Sequence, residues 1–200
     1  MLFRSVVGIA ETLAREGVAV SVDTRKPAVM RAAAAAGAAM INDVSALAAP
    51  GALEACAQSG VGVCLMHMRG EPATMQQAPV YADVVREVRE FLLARAGACI
   101  AAGIARERLV LDPGFGFGKT LAHNLQLLRA LPELAATGFP VLAGLSRKSS
   151  LGQITGRAEG ERLPASLAAA LAAVARGASV VRVHDVRETV DALKVWQAMS

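Results

Sequence analysis

Short apolar runs alternate with longer alanine- and leucine-rich segments along most of the chain. The apolar runs are often β-branched, which is typical of parallel strands that are buried on both faces. The segments between them have helical spacing, clearest in residues 80–102, where Val84, Val88 and Leu92 fall on one face. The predicted strands are residues 18–23, 39–44, 61–68, 108–112, 140–146 and 179–185.

The predicted helices follow the strands one by one, and glycines separate most helices from the next strand. They are residues 26–36, 51–59, 80–102, 121–131, 161–176 and 186–198, and a further helix over residues 6–16 precedes the first strand. This alternation predicts an α/β fold with a parallel sheet, either doubly wound or closed into a barrel. No linker or change of composition divides the chain, so we predict one domain over residues 1–200.

Polar residues gather where the predicted strands end. In a (β/α)8 barrel these ends form the active-site face, whereas a doubly wound sheet concentrates its site at one switch point. Polar groups at six separate strand ends therefore favour the barrel. Asp43 and His67 also admit structural roles, as a helix cap and as a core histidine. The strand-end residues are Asp23, Thr24, Asn42, Asp43, His67, Asp112, Ser146, Arg147, His184 and Asp185.

The most unusual segment, residues 112–120, reads Asp-Pro-Gly-Phe-Gly-Phe-Gly-Lys-Thr. It has neither the spacing of a P-loop nor the third glycine of the dinucleotide fingerprint. A plain flexible connection is the competing interpretation, but three glycines beside two phenylalanines favour a ligand loop. The carboxylate of Asp112, at the strand end, is suited to accept two hydrogen bonds from the N–H/NH2 edge of a flat heterocycle.

Two cationic segments follow the last two predicted strands. Arg182 and His184 are two residues apart, so they share a face and form a candidate anion site. An exposed, salt-bridged sheet edge is the competing interpretation, and the apolar neighbours argue against it. Arg147 and Lys148, flanked by serines, either bind an anion or a carbonyl oxygen or belong to a solvated loop. No spacing of His, Cys or acidic residues predicts a metal site.

The composition narrows the class of protein. Hydrophobic residues make up 54% and charged residues 19%, which excludes a disordered chain, and the most apolar stretch, residues 163–175, is too short to cross a membrane. Three scattered cysteines favour a reducing, cytoplasmic compartment. The net charge of +4 suits an anionic small molecule at least as well as nucleic acid, and one Trp, one Tyr and five Phe offer few platforms for stacking bases.

Taken together, these motifs resemble those of dihydropteroate synthase, a family of bacterial folate biosynthesis. The resemblance implies a (β/α)8 barrel, usually a homodimer, that joins 4-aminobenzoate to (7,8-dihydropterin-6-yl)methyl diphosphate with the help of Mg2+. The products are 7,8-dihydropteroate and diphosphate, and the family is the target class of sulfonamides. The matching segments occur in the family's order and are residues 21–24, 41–43, 64–68, 112–119, 146–149 and 182–185.

The resemblance implies a set of pterin contacts. Asp112 would hold the N3/2-amino edge of the pterin, and Asp23 and Asn42 would engage its N1/N8 side. Lys148 would reach O4 and N5, and Arg182 would stack across the ring. The residues implied in pterin binding are Asp23, Asn42, Val44, Met66, Asp112, Leu142, Gly144, Lys148 and Arg182.

The resemblance implies contacts to the other groups as well. Arg182 and His184 would bind the diphosphate. The residues implied at 4-aminobenzoate are Phe117, Lys148 and Ser149. The implied mechanism is dissociative: diphosphate leaves with the help of Mg2+, Arg182 and His184, and the neutral aniline nitrogen then attacks a pterin-methyl cation that Asp23 stabilises. The implied catalytic residues are Asp23, Lys148, Arg182 and His184.

The chain departs from the family's pattern at its start. Two strands of the family's barrel would precede residue 18, so we expect an incomplete barrel of about six βα units, strands 3–8. The family's Mg2+-binding Asn and its substrate-covering Thr-Arg-Pro segment would lie in the missing part, so no metal ligand is assigned here. We therefore expect the intact protein to be a homodimeric enzyme, and this chain by itself to be inactive or nearly so.

Two other functions remain open at this point. A pterin-dependent methyltransferase barrel would share the Asp and Asn contacts to the pterin, but the cationic segments at residues 146–149 and 182–184 argue against it, because it holds no diphosphate. A non-catalytic anion-binding module that acts on nucleic acid would use the basic charge instead. We expect small-molecule substrates and neither a nucleic-acid nor a membrane partner.

Overall fold

The computed structural model of the chain describes residues 2–70, 75 and 79–199, with side chains from residue 6 onward. Over these residues strands and helices alternate and all paired strands run parallel, which confirms the α/β class. The strands are β1 (Ser21–Asp23), β2 (Met40–Asp43), β3 (Gly62–Met66), β4 (Leu109–Asp112), β5 (Leu142–Ala143) and β6 (Val180–Val181).

The strands form two parallel sheets in the described part of the chain. One has the order β1-β2-β3-β4, and the other pairs β5 with β6. Each strand is shorter than its apolar run predicts: β1 and β4 begin later but end at the predicted residue, whereas β3, β5 and β6 also end before the polar residues that follow them. In the first sheet neighbouring strands are also consecutive in sequence, as expected when one helix connects each strand to the next.

The helices follow the predicted segments, with two additions. A separate helix begins at Leu131 directly after α5, with Pro132 in its first turn, where proline is favoured, since proline breaks a helix interior. Ser149 begins a short helix for which no helix was predicted. The helices are α1 (Leu2–Arg15), α2 (Pro27–Ala35), α3 (Ala52–Ala57), α4 (Val84–Ala101), α5 (Leu121–Arg129), α6 (Leu131–Ala135), α7 (Ser149–Thr155), α8 (Leu163–Val174) and α9 (Val186–Met199).

Helix α4 begins at Val84, four residues later than predicted. Asp83 Oδ1 accepts a hydrogen bond from Arg86 N at 3.0 Å, which caps the first turn. Glu87 Oε1 accepts from the backbone N–H groups of Ala82 and Asp83, at 2.8 and 3.0 Å. Together these carboxylates bind N–H groups that the helix leaves unpaired at its start, and so fix where it begins.

The packing of the chain divides it into two compact units. The first unit comprises the residues up to His67 together with Glu90–Asp112, and the second comprises Met68–Arg89 and Pro113–Ser200. The core of the first unit consists of side chains such as Ile41, Val63, Leu65, Leu92 and Leu111, all 0% exposed. The core of the second unit includes Phe115, Leu131, Val141 and Ala173. That the chain is one barrel domain stays a prediction.

No helix among the described residues combines the length and the apolar composition that crossing a lipid bilayer requires.

Candidate active site

Two polar residues lie side by side where β1 and β2 end. The strand register pairs Asp23 with Asn42, and Asn42 Nδ2 donates a hydrogen bond to Asp23 Oδ2 at 2.8 Å. Asp23 is exposed, whereas Asn42 is buried and its Oδ1 has no hydrogen-bond partner among the described residues. A buried acceptor without a donor costs free energy, so Asn42 Oδ1 is well suited to accept an N–H group of a ligand.

Strand alternation places further candidates on the same face of this sheet. Asn42 pairs with Cys64, and Met66, two residues later in β3, pairs with Asp112 at the end of β4. Because successive side chains point to opposite faces, these four residues and Asp23 share one face. Met66 and Asp112 are almost fully buried. Sequence reasoning did not single out Cys64, although its spacing of two residues from Met66 would have identified it.

Two strand-end residues of the first unit have structural roles. Asp43 Oδ1 accepts from Ser45 N at 2.8 Å and its Oδ2 accepts from Leu47 N at 2.9 Å, so the buried carboxylate fixes the turn after β2. The buried His67 packs its ring edge-on against Phe91, with 5.0 Å between the ring centres. His67 therefore has the core role that the sequence left open, whereas Asp43 is structural but fixes a turn and does not cap a helix, since α3 begins only at Ala52.

In the second unit, the loop after β4 is stabilised by hydrogen bonds from the side chains of Lys119 and Asn124 to its backbone. All three of its glycines have positive φ values, a conformation that residues with side chains rarely adopt. Lys119, 3% exposed, donates to the carbonyl oxygens of Gly114 and Phe117, both at 3.0 Å. Asn124 Oδ1 accepts from Gly116 N at 2.8 Å. Lys119 therefore stabilises the shape of the glycine-rich loop, residues 113–120, by binding two of its own carbonyls.

Phe117 connects the glycine-rich loop to the segment after β5. The ammonium nitrogen of Lys148 lies 4.2 Å from the centre of the Phe117 ring, which is a cation–π contact. The side chain of Lys148 also passes over Gly116, where a Cβ atom would lie 3.2 Å from Lys148 Cδ. The backbone of Gly116 therefore leaves the space that the lysine stem occupies.

A cavity of about 210 Å3 lies where β5 and β6 end. Arg182 lies across Gly144, since a Cβ atom at Gly144 would be 3.0 Å from Arg182 Nη2. His184 Nδ1 is 3.0 Å from Ser146 Oγ, and the backbone N–H of His184 also donates to this oxygen, at 3.2 Å. Six residues line the cavity: Gly144, Ser146, Lys148, Arg182, Val183 and His184.

The two loops that carry these side chains are joined by an ion pair. Arg147 Nε donates to Asp185 Oδ2 at 3.1 Å, and Arg147 Nη2 makes a second, shorter bond to Asp185 Oδ1. This bidentate hydrogen bond holds the pKa of Asp185 below its usual 3.8, and the charges of Arg147 and His184 act in the same direction. Arg147 has a positive φ of 57°; it binds Asp185 and is not among the residues that line the cavity.

The structure brings some predicted residues together and leaves others apart. Gly144, Lys148, Arg182 and His184 share the cavity, and Ser146 was identified from its strand-end position without a specific role. His184 is exposed, so apolar neighbours in sequence did not bury it as expected, because β6 ends at Val181. The remaining predicted residues lie outside the cavity lining: Leu142 is buried in β5, Val44 is half-buried after β2, and Ser149 is exposed at the start of α7.

Two kinds of chemistry follow from this arrangement. The face of the first sheet offers a carboxylate–amide pair and a buried carboxylate, which suit the N–H groups of a heterocycle. The cavity of the second unit offers an ammonium, a guanidinium and an imidazole to an anion. Across the described residues no group of three or more His, Cys, Asp or Glu side chains could hold a metal ion.

Comparison with known families gives a match over most of the chain. A family model described as "Pterin binding enzyme" matches residues 3–184. Dihydropteroate synthase of Neisseria meningitidis serogroup B is 58% identical over 189 residues, which cover 92% of this chain and 66% of that protein. The chain therefore spans about two thirds of the length of such curated relatives.

Solved structures give the same result at the level of the fold. Dihydropteroate synthase from Stenotrophomonas maltophilia, with imidazole bound in its active site, superposes with a TM-score of 0.94 at 56% identity, covering 96% of this chain and 74% of that one. The enzyme from Xanthomonas albilineans in complex with 7,8-dihydropteroate gives a TM-score of 0.92 at 55% identity, covering 98% and 73%.

Proposed function

Since the chain belongs to the pterin-binding enzyme family, and within it to the dihydropteroate synthases, we propose that its protein condenses 4-aminobenzoate with (7,8-dihydropterin-6-yl)methyl diphosphate. The observation that carries the proposal for this chain is the cavity lined by Lys148, Arg182 and His184. A substrate with a diphosphate leaving group requires such a cationic site, whereas methyl transfer from a pterin does not.

Arg182 and His184 are proposed to bind the diphosphate. Guanidinium groups bind phosphate oxygens in a bidentate manner, and Gly144 leaves the space in which the Arg182 side chain lies. Ser146 Oγ accepts a hydrogen bond from the backbone N–H of His184, which fixes the backbone of the residue that carries the imidazole. The site therefore offers positive charge to the leaving group without an acidic residue in the cavity lining.

The face shared by Asp23, Asn42, Met66 and Asp112 is proposed to bind the pterin. The buried carboxylate of Asp112 would accept from N3–H and the 2-amino group, and Asn42 Oδ1, a buried acceptor, would accept from the N1/N8 side. Met66 would pack against the flat ring, together with Val44. For the second unit the pterin contacts are proposed from the resemblance alone, at Leu142 and Gly144, at Lys148 for O4 and N5, and at Arg182 for stacking.

Phe117, Lys148 and Ser149 are proposed to contact 4-aminobenzoate. Phe117 offers a ring face at the edge of the glycine-rich loop, and Lys148 already lies 4.2 Å from its centre. Ser149, exposed at the start of α7, offers a hydroxyl group to the carboxylate of this substrate. An aromatic acid would thus find both a stacking partner and a counter-charge.

The proposed reaction is a dissociative substitution. The bond between the pterin methylene carbon and the diphosphate oxygen breaks first, and both electrons leave with the diphosphate, whose charge Arg182 and His184 offset. Asp23 stabilises the resulting pterin-methyl cation electrostatically. The amine nitrogen of 4-aminobenzoate then forms the new C–N bond and loses one proton to water. A neutral aniline needs no strong base, so no nucleophile–base pair is required.

Four further features are proposed from the family. We infer a (β/α)8 barrel, of which the chain supplies about six βα units, and a homodimer for the intact protein. The location proposed is the cytoplasm, where the free thiols of Cys56, Cys64 and Cys99 stay reduced. Mg2+ is proposed as the family's metal, but because the described residues form no metal cluster, no step is assigned to it.

Binding to this chain tests the proposal directly, with titration calorimetry as the measurement. Inorganic diphosphate should bind, and Arg182→Met should weaken its binding at least about tenfold, since a charged hydrogen-bond donor is lost. Arg129→Met, at an exposed arginine of α5, serves as the control and should have no effect.

7,8-Dihydropteroate should bind to the chain as well, and Asp112→Ala should weaken the binding of this ligand by a similar factor. Wild-type affinities in both variants would refute the assignment of these residues.

A further inference from the structure

The protein's single tyrosine lies against the glycine-rich loop. Tyr81 Oη donates a hydrogen bond to the carbonyl oxygen of Gly118 at 2.9 Å, across 37 positions of sequence. The ring of Tyr81 also contacts His123 edge-on, with 5.0 Å between the ring centres. The Tyr81 hydroxyl group therefore binds the loop at the residue that directly follows Phe117.

The backbone of the loop approaches a second segment just as closely. A Cβ atom at Gly118 would lie 2.2 Å from the carbonyl oxygen of Arg69 and 3.1 Å from Arg69 Cβ. Gly118 also has a positive φ of 63°. Only glycine fits this position, because the segment that contains Arg69 occupies the space of a side chain.

The residues that hold Tyr81 are themselves fixed. Arg69 Cζ lies 4.6 Å from the centre of the Tyr81 ring, and Arg69 Nη1 donates to Glu87 Oε2 at 2.8 Å. Glu87, in the first turn of α4, accepts two backbone N–H groups with its other oxygen. Arg69 thus packs on the Tyr81 ring and is itself held by an ion pair to the first turn of α4.

Two hydrogen bonds therefore hold the backbone of the loop at Phe117. Lys119, which belongs to the loop, donates to Phe117 O at 3.0 Å, and Tyr81, which lies outside the loop, donates to Gly118 O. We propose that Tyr81, supported by Arg69 and Glu87, is a positioning residue that fixes the glycine-rich loop so that the Phe117 ring is presented to the aromatic amine substrate. This inference rests on the proposed function only for the identity of that substrate.

The proposal separates two binding events in this chain. Tyr81 is not among the residues that line the cavity with Arg182 and His184. Tyr81→Phe should therefore leave the affinity for inorganic diphosphate within about twofold of wild type. Loss of one neutral hydrogen bond that orders the loop should weaken 4-aminobenzoate binding, measured with diphosphate present, by about five- to tenfold. A residue that only stabilised the fold would affect both ligands or neither.

Hydrogen exchange provides a readout that requires no ligand. The amides of Gly116 and Phe117 donate to Asn124 Oδ1 and Gly114 O, so their exchange rates report the order of the loop. In Tyr81→Phe these rates should rise by about five- to tenfold. Ser59→Ala removes another hydroxyl-to-carbonyl bond, at the end of α3, and as the matched control should leave both rates unchanged.

Because the protein has a single tyrosine, the contact between Arg69 and Tyr81 can also be measured by titration. Burial raises the pKa of Tyr81 above its usual 10.0 and Glu87 adds to the rise, while the cation of Arg69 opposes it. Arg69→Met should therefore raise the pKa of Tyr81 further, as followed by tyrosinate absorbance, and should speed the exchange of the same two amides. The ring of His123 also contacts the Tyr81 ring.

The outcomes distinguish this inference from the proposed function. If Tyr81→Phe leaves the exchange of Gly116 and Phe117 unchanged, the positioning role is wrong, whatever the ligands do. If exchange rises but wild-type chain binds neither 4-aminobenzoate nor diphosphate, the loop is positioned as inferred and the proposed substrates are wrong. If wild type binds both ligands and Tyr81→Phe binds them with unchanged affinity, Tyr81 does not position the substrate-binding ring.

Discussion

The two units of the molecule present their candidate ligand groups in different ways. In the first unit Asp23, Asn42 and Asp112 stand on strand ends, and the ladder register alone determines which face they share. In the second unit the candidate groups stand on loops, which are shaped by side chains such as Lys119 and Arg147. Where strands carry a site, backbone pairing positions it; where loops carry it, additional residues must do so.

The largest effect is expected from the buried cation in the glycine-rich loop. Lys119→Met keeps the aliphatic stem but leaves the carbonyl oxygens of Gly114 and Phe117 without these donors, which should lower the free energy of unfolding by about 2 kcal/mol. Urea denaturation measures this change, and Lys194→Met, at an exposed lysine of α9, is the control. A variant that kept its stability and lost diphosphate binding would show instead that Lys119 is a phosphate ligand.

A smaller effect on stability is expected in the first unit. Asn42→Leu removes one hydrogen bond to the exposed Asp23, but it also removes the buried acceptor Oδ1, so the two contributions oppose each other. The free energy of unfolding should change by less than about 1 kcal/mol, while binding of 7,8-dihydropteroate weakens severalfold. A large loss of stability with unchanged binding would mean that Asn42 is a structural residue, as Asp43 is.

The smallest effect is expected from the ion pair between the two cavity loops, and it depends on pH. Because Arg147 lowers the pKa of Asp185 below 3.8, the stabilisation is present above that value and is lost as the pH falls through the lower pKa of the folded state. Thermal unfolding of Asp185→Asn should therefore differ from wild type at about pH 6 and converge with it towards about pH 2. Glu188→Gln, at an exposed residue of α9, should show no such convergence, and a constant difference for Asp185→Asn would refute the linkage.

The sequence predicted most of what depends on strand and helix periodicity. Alternation of apolar runs and helices identified the α/β class, and the position of Asp23, Asn42 and Asp112 at strand ends identified them as candidates. That the three share a face follows from the strand register of the structure. The role of Lys119 was not predictable in the same way, since a lysine after three glycines has the same local pattern whether it binds phosphate or its own loop.

Side-chain contacts between residues far apart in sequence could not be predicted either. The bond from Tyr81 to Gly118 spans 37 positions, and the pair of Arg147 and Asp185 spans 38. Neither distance follows a helical or strand period, so only the folded chain shows these contacts. Closure of the barrel depends likewise on pairings between strands far apart in sequence, and it stays a prediction.

The close packing of Arg182 over Gly144 also limits how this protein can change over evolutionary time. A methyl group at position 144 would lie 3.0 Å from Arg182 Nη2, so a substitution there requires the end of the Arg182 side chain to shift by a few tenths of an ångström. The two positions are therefore expected to be coupled when either one is mutated. A bulkier wall at this point of the cavity comes with a displaced guanidinium group.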